Sequence, residues 1–185
     1  MNEGVWAMPM GEVSIDTDLA QTICEETPLA KVDASAHRFE HSLETQLPFL
    51  QYFKKDLKMV PICLKRLQVS TCKALAEAIV RAVKRLRRSV LLVASSDMTH
   101  YESQSVAQAK DDKVIACIEN CNPAELYETV RSEKITMCGV NPVTVMLWCC
   151  EGLGATEAER VKYMTSGDVS GDKDKVVGYA GMIIR

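Results

Sequence analysis

The chain has 185 residues, a formal net charge of -3 and an apolar fraction of 47%. That length suits one domain with a core of its own, and the mild negative charge leaves no electrostatic footprint for nucleic acid. No apolar run approaches the roughly 20 residues that a membrane-spanning helix needs, so a membrane is not an expected partner either.

Met1 to Val13 reads as loop, punctuated by Gly4, Pro9 and Gly11 with little periodicity. Asp16 or Thr17 caps a short helix running to about Glu26. Pro28 to Ala36 is irregular. His41 to Phe53 carries Leu43, Leu47, Leu50 and Phe53 at helical spacing, and Pro48 should bend or break that helix. Lys58 to Leu64 is short, apolar and strand-like, with Pro61 predicting incomplete pairing. The clearest helix starts at a Ser70 cap. It repeats Leu75, Ala78, Ile79, Ala82, Val83 and Leu86, and ends in the basic run to Arg88, where cations favour the helix dipole.

Ser89 to Ser95 is a continuous apolar run that fits a buried parallel strand. Strand, helix and strand in that order predict a βαβ unit with a right-handed crossover. Helices follow over Gln104 to Glu119, Pro123 to Arg131 and Asn141 to Glu151, then strands over Val161 to Ser166 and Val176 to Arg185. The fold class is α/β, a mixed or mostly parallel sheet flanked by helices. No repeat or linker divides it, so residues 1–185 are expected to form a single domain.

Eight cysteines with irregular spacing, and no secretory h-region, argue against a disulfide framework. Most lie in apolar periodic segments, where a thiol acts as a small hydrophobe. A reducing, cytoplasmic setting with most of them buried and inert is the expectation.

Four polar residues stand at element ends, where α/β proteins place their sites: His41, Asp97, His100 and Cys138. Asp97 and His100 follow the apolar run of 89–95. His100 there is a candidate base or ligand, with Asp97 to orient it. The alternative is a solvated loop in which Asp97 caps the next turn. His41 has His37 four residues before it, so the two could share a helix face as ligand pairs do; a satisfied structural histidine is the competing reading. Cys138 precedes a helix, where a thiolate is favoured, or is simply a buried loop thiol.

Glu40-His41-Ser42-Leu43-Glu44-Thr45-Gln46-Leu47-Pro48 resembles the E-H-S-[IL]-E-x-x-L-P signature of the Memo family. Ser95-Ser96-Asp97-Met98-Thr99-His100-Tyr101 is similar to its S-S-D-x-x-H-[WY] motif, Thr136-Met137-Cys138-Gly139 with Pro142 to its T-x-C-G-x-x-P motif, and Gly178-Tyr179-Ala180-Gly181 to its closing stretch. The four blocks stand in family order over nearly the whole chain. The wording around His41 resembles the prokaryotic members, called AmmeMemoRadiSam system protein B.

The resemblance implies a fold like that of class III extradiol dioxygenases, which hold non-haem Fe(II) with two His and a carboxylate. In Memo proteins a Cys replaces the carboxylate. By motif position His41 matches a histidine ligand and Cys138 the thiolate ligand. His100 matches the acid–base histidine and Asp97 its neighbour. The family's first histidine belongs to a P-H-A-G-Y-like motif that this sequence lacks.

The implied domain is therefore incomplete at its N-terminus. Fe(II), or copper through the soft thiolate, would bind weakly or not at all. Dioxygenase-like redox chemistry on an unknown small molecule is the first implied function. A peptide-binding signalling module and an inactive fragment that self-associates through an exposed edge are the others.

Overall fold

Residues 1–185 are described by a computed structural model, and backbone packing divides them into two compact units. The first comprises Met1–Lys65 and Glu77–Leu91, the second Arg66–Ala76 and Leu92–Arg185.

The first unit opens with a hairpin where the sequence predicts loop. Strand β1, Val5–Met8, pairs antiparallel with β2, Gly11–Ile15, across a two-residue turn at Pro9 and Met10. Val13 and Ile15 alternate inward, the two-residue period of a half-buried strand. Gly11 closes the turn at φ +114°, which only glycine adopts without strain. The Gly and Pro that suggested a loop are thus the turn of a hairpin.

Helix α1, Thr17–Glu26, is capped by Asp16, whose carboxylate accepts from the Leu19 amide at 3.2 Å. Strand β3, Lys58–Met59, pairs parallel with β2 and ends before Pro61, which has no N–H to donate. Helix α2, Leu47–Phe53, carries Pro48 in its first turn. Proline breaks helix interiors but fits helix starts, so the predicted helix begins at Leu47 rather than at His41.

Helix α3, Val69–Leu86, starts one residue before the predicted cap at Ser70. Its Ile79, Ala82 and Val83 are buried in the sequence pattern that predicted the helix. The run after it gives the main departure. Ser89 to Ser96 joins no ladder, and Leu91 and Val93 are exposed. The parallel partner of β3 is β2, not this segment, so the predicted βαβ unit does not close. An apolar run states that a segment can be buried, not which strand lies beside it.

The second unit is built on β6, Val176–Ile184, the middle strand of an antiparallel sheet. It pairs on one side with β5, Ala158–Thr165, and on the other with β4, His100–Glu102. The chain is therefore α/β, with a mixed three-stranded sheet in the first unit and an antiparallel one in the second. Helix α4 spans Gln104–Glu119, α5 Pro123–Ser132 and α6 Val140–Leu153, each close to its predicted span. A short α7, Gly167–Ser170, links β5 to β6. The core packs Val114, Ile115 and Ile118 of α4, Leu126 and Val130 of α5, and Val143 and Leu147 of α6 around Met98 and Met137. Burying side chains of this size supplies about 1.5–3 kcal/mol each.

Candidate metal centre

Two segments of the second unit meet edge to edge: residues 96–100, leading into β4, and residues 136–139, leading into α6. Their contacts alternate from one end to the other. The Gly139 amide donates to Ser96 Oγ at 2.9 Å, and the Asp97 amide donates to Cys138 Sγ at 3.2 Å. The His100 amide donates to Thr136 Oγ1 at 2.7 Å, and His100 Nδ1 lies 2.7 Å from the Thr136 carbonyl oxygen. Each segment satisfies polar groups of the other, as backbone groups away from a sheet must be.

Gly139 is forced by this approach. A Cβ there would fall 2.4 Å from Ser96 Cβ and 2.7 Å from the Ser95 carbonyl oxygen, closer than atoms pack. The sequence reading quoted Ser96, Thr136 and Gly139 inside motifs but gave them no role. Their place beside the candidate ligands inside short motifs is the only sequence signal for them, since none is itself a strong ligand.

This clamp sets three donor side chains together. Asp97, His100 and Cys138 offer ligand atoms that all lie within 4.8 Å of one another. Asp97 Oδ2 is 3.5 Å from His100 Nε2. The His100 side chain is 20% exposed and that of Asp97 46%, so the cluster is open on one side and held on the other. Thiolate, imidazole and carboxylate form a mixed donor set suited to iron, copper or zinc.

Two tyrosines flank the cluster. Tyr101 follows His100 with its ring 5.8 Å away and its backbone at φ +59°, a left-handed conformation unusual for a bulky residue. The Tyr179 phenol is pushed up, first by burial and then by the Asp97 carboxylate and the Tyr101 phenol.

The remaining histidines belong to the first unit. His41 is exposed on the turn before α2, where its carbonyl accepts from the Thr45 amide at 3.1 Å. His37 ends a 3-10 turn, Ser35–His37, and its Nδ1 lies 3.3 Å from Cys63 Sγ. The helical His37–His41 pair that the four-residue spacing suggested does not form, because the chain leaves the helical conformation between them.

A model of the family described as Memo-like protein matches residues 1–183. The chain belongs to the Memo family. This Memo chain is 41% identical over 186 residues to a MEMO1 family protein of Methanopyrus kandleri, aligned over all of this chain and 66% of that protein. It is 40% identical to MEMO1 family proteins of Methanobrevibacter smithii and Methanocaldococcus jannaschii, over 100% and 99% of this chain and 65% of each relative. The chain thus spans about two thirds of the length of these curated relatives. No helix is long and apolar enough to cross a membrane.

Proposed function

We propose that this Memo-family chain holds a metal ion at Cys138, His100 and Asp97. The bound ion would serve dioxygenase-like redox chemistry on a small substrate. The observation that carries the reading is the environment of the His100 ring. Its Nδ1 lies 2.7 Å from a backbone carbonyl oxygen, which only accepts, so Nδ1 carries a proton. In the neutral ring Nε2 is then a lone pair, and it faces a carboxylate oxygen 3.5 Å away. Two acceptors facing each other are bridged by a proton or by a metal ion, and Cys138 Sγ as a third donor within 4.8 Å favours the metal. Metal-ligating histidines characteristically donate their other ring N–H to a backbone carbonyl or carboxylate, which fixes the tautomer.

The donor set fits iron or copper, either of which would supply one-electron redox chemistry when bound. The chain's own groups do the rest. The Asp97 amide donates to Cys138 Sγ and moderates the charge of a thiolate there. Thr136 holds both the His100 backbone and its ring. Asp97 supplies the negative charge beside Nε2. His100, where a ligand leaves Nε2 free, is the group placed to exchange a proton with a bound substrate.

Anaerobic titration with Fe(II), and with Co(II) as a spectroscopic stand-in, tests this. The expected result is saturable one-to-one binding with a thiolate-to-cobalt charge-transfer band. Cys138→Ser should abolish the band, and His100→Ala should lower affinity by about tenfold or more, the scale of lost ligand support. Unchanged binding by Cys138→Ser would sink the thiolate assignment.

A further inference from the structure

Asp111 is the buried charge that the metal reading leaves unused. It lies on α4 with no exposed surface. Its Oδ1 accepts from the Thr99 amide at 2.9 Å, and its Oδ2 accepts from the Tyr163 hydroxyl at 2.8 Å. Burial and then this hydrogen bond push the Tyr163 phenol up, so it keeps its proton and remains a donor. Strand β6 leaves room for the carboxylate: a Cβ on Gly178 would fall 1.9 Å from Asp111 Oδ2. The same glycine pairs with the segment that Asp111 holds. The Met98 amide donates to the Gly178 carbonyl, and the Gly178 amide donates to the Thr99 carbonyl, both at 2.9 Å.

The placement is specific. A carboxylate is costly to bury, and one neutral acceptor would satisfy a single backbone amide at lower cost. The carboxylate is instead committed to the amide of Thr99, between Asp97 and His100. A charge-assisted hydrogen bond is shorter and stiffer than a neutral one. Met98 and Thr99 are buried, so the segment is held from beneath by α4 and β6 while its polar ends face the cluster.

We propose that Asp111 is a positioning residue for the metal centre: through Thr99 it fixes where the His100 ring and the Asp97 carboxylate stand relative to Cys138. Tyr163 holds the second carboxylate oxygen, and Gly178 admits the group. This role rests on the metal reading above. It adds a residue with no motif around it, since Lys110-Asp111-Asp112-Lys113 reads in sequence as a solvated charged face.

The test separates positioning from plain stability. Asp111→Asn keeps an acceptor for Thr99 but removes the charge. Tyr163→Phe removes one hydroxyl. Ile115→Val, one turn along the same helix and buried, is the control for stability alone. Imidazole 15N spectra of the metal-free protein report the His100 tautomer, which is assignable among three histidines. Wild type and Ile115→Val should show one fixed Nδ1–H tautomer, while Asp111→Asn should show an exchange-averaged ring and Tyr163→Phe a partial shift.

Co(II) affinity should fall by about tenfold in Asp111→Asn and stay within about twofold in Ile115→Val, which removes one methylene and none of the hydrogen bonds to the segment. A His100 spectrum in Asp111→Asn identical to wild type overturns the proposal, as does an equal affinity loss in Ile115→Val. Should wild type bind no Co(II) while its fixed tautomer is lost in Asp111→Asn, the metal reading fails and the positioning of His100 stands.

Discussion

Cys138 and Cys149 are eleven residues apart and chemically distant. Cys138 is exposed and accepts the Asp97 amide. Cys149 is buried in α6, donates to the Ala76 carbonyl and has its thiol pushed up to about 12, first by burial and then by Cys150. Only a thiolate attacks an alkylating reagent. Iodoacetamide at neutral pH should therefore label Cys138 early in the folded protein and Cys149 only after unfolding, as followed by peptide mass mapping. Labelling of Cys149 first would contradict the packing of α6. All eight cysteines are free, and four of them, Cys72, Cys117, Cys149 and Cys150, are buried, fewer than the sequence reading expected. Apolar periodicity marked four of the five helical ones correctly; Cys24 of α1 is only half-buried. It could not anticipate Cys63, which lies in the segment read as strand but stands exposed beyond β3, beside His37.

The helices were the most legible elements, because a 3.6-residue pattern with a cap or a proline at its start fixes both existence and boundary. Within α5, Leu126 is fully buried and Asn122 caps the helix by accepting from the Glu125 amide at 3.1 Å. Leu126→Ala should cost about 2–5 kcal/mol of stability, read from a denaturation midpoint. Strands were less legible: β6 was found nearly whole, whereas the β1–β2 hairpin was missed and the run at 89–95 forms no ladder. Strand identity depends on a neighbour that the local sequence does not contain. The first unit joins α1 to α3 through charge, with Arg81 Nε 2.9 Å from Glu26 Oε2. The hydrogen bond from Arg81 holds the Glu26 carboxyl below its usual 4.5. A depressed folded value contributes stability that is present above the unfolded value and lost as pH falls through the folded one. Glu26→Gln should therefore lower the urea midpoint near pH 7, with the difference vanishing as pH drops below about 4.5 and through the folded value. A difference that persists in strong acid would show that the carboxylate's charge is not what matters.

At the scale of the molecule, the distribution of aromatic surface in the first unit is unusual. The chain has three phenylalanines, and all three, Phe39, Phe49 and Phe53, are exposed, with Tyr52 beside Phe53. Phe49, Tyr52 and Phe53 repeat along α2 at three- and four-residue spacing, a single face of a helix. Exposed apolar faces of this kind favour association. Light scattering should show the chain self-associating with concentration, and Phe49→Ser with Phe53→Ser should reduce that association with little loss of stability. A wild-type chain that stays monomeric at high concentration would contradict this expectation. The family was legible from four short motifs, and so were three of the residues now found side by side: Asp97, His100 and Cys138. The supports were not. Asp111 looks like surface charge in sequence, and its burial depends on Gly178 leaving space across the sheet from a position 67 residues away.

Gly139 and Gly178 give the chain two addresses with no spare letters. Every missense codon at either position adds a Cβ, which meets Ser96 in the first case and Asp111 in the second. A saturation library scored for folded protein should accept only synonymous changes at these two codons, while Lys175 and Glu151, both exposed, tolerate many. Relief, where it arises, should come as paired changes. Ser96→Gly beside Gly139→Ala would remove the colliding Ser96 side chain and leave only the approach to the Ser95 carbonyl. Drift at this site is therefore confined to coordinated steps, and the local spelling of two motifs is held fixed by the space between two backbones.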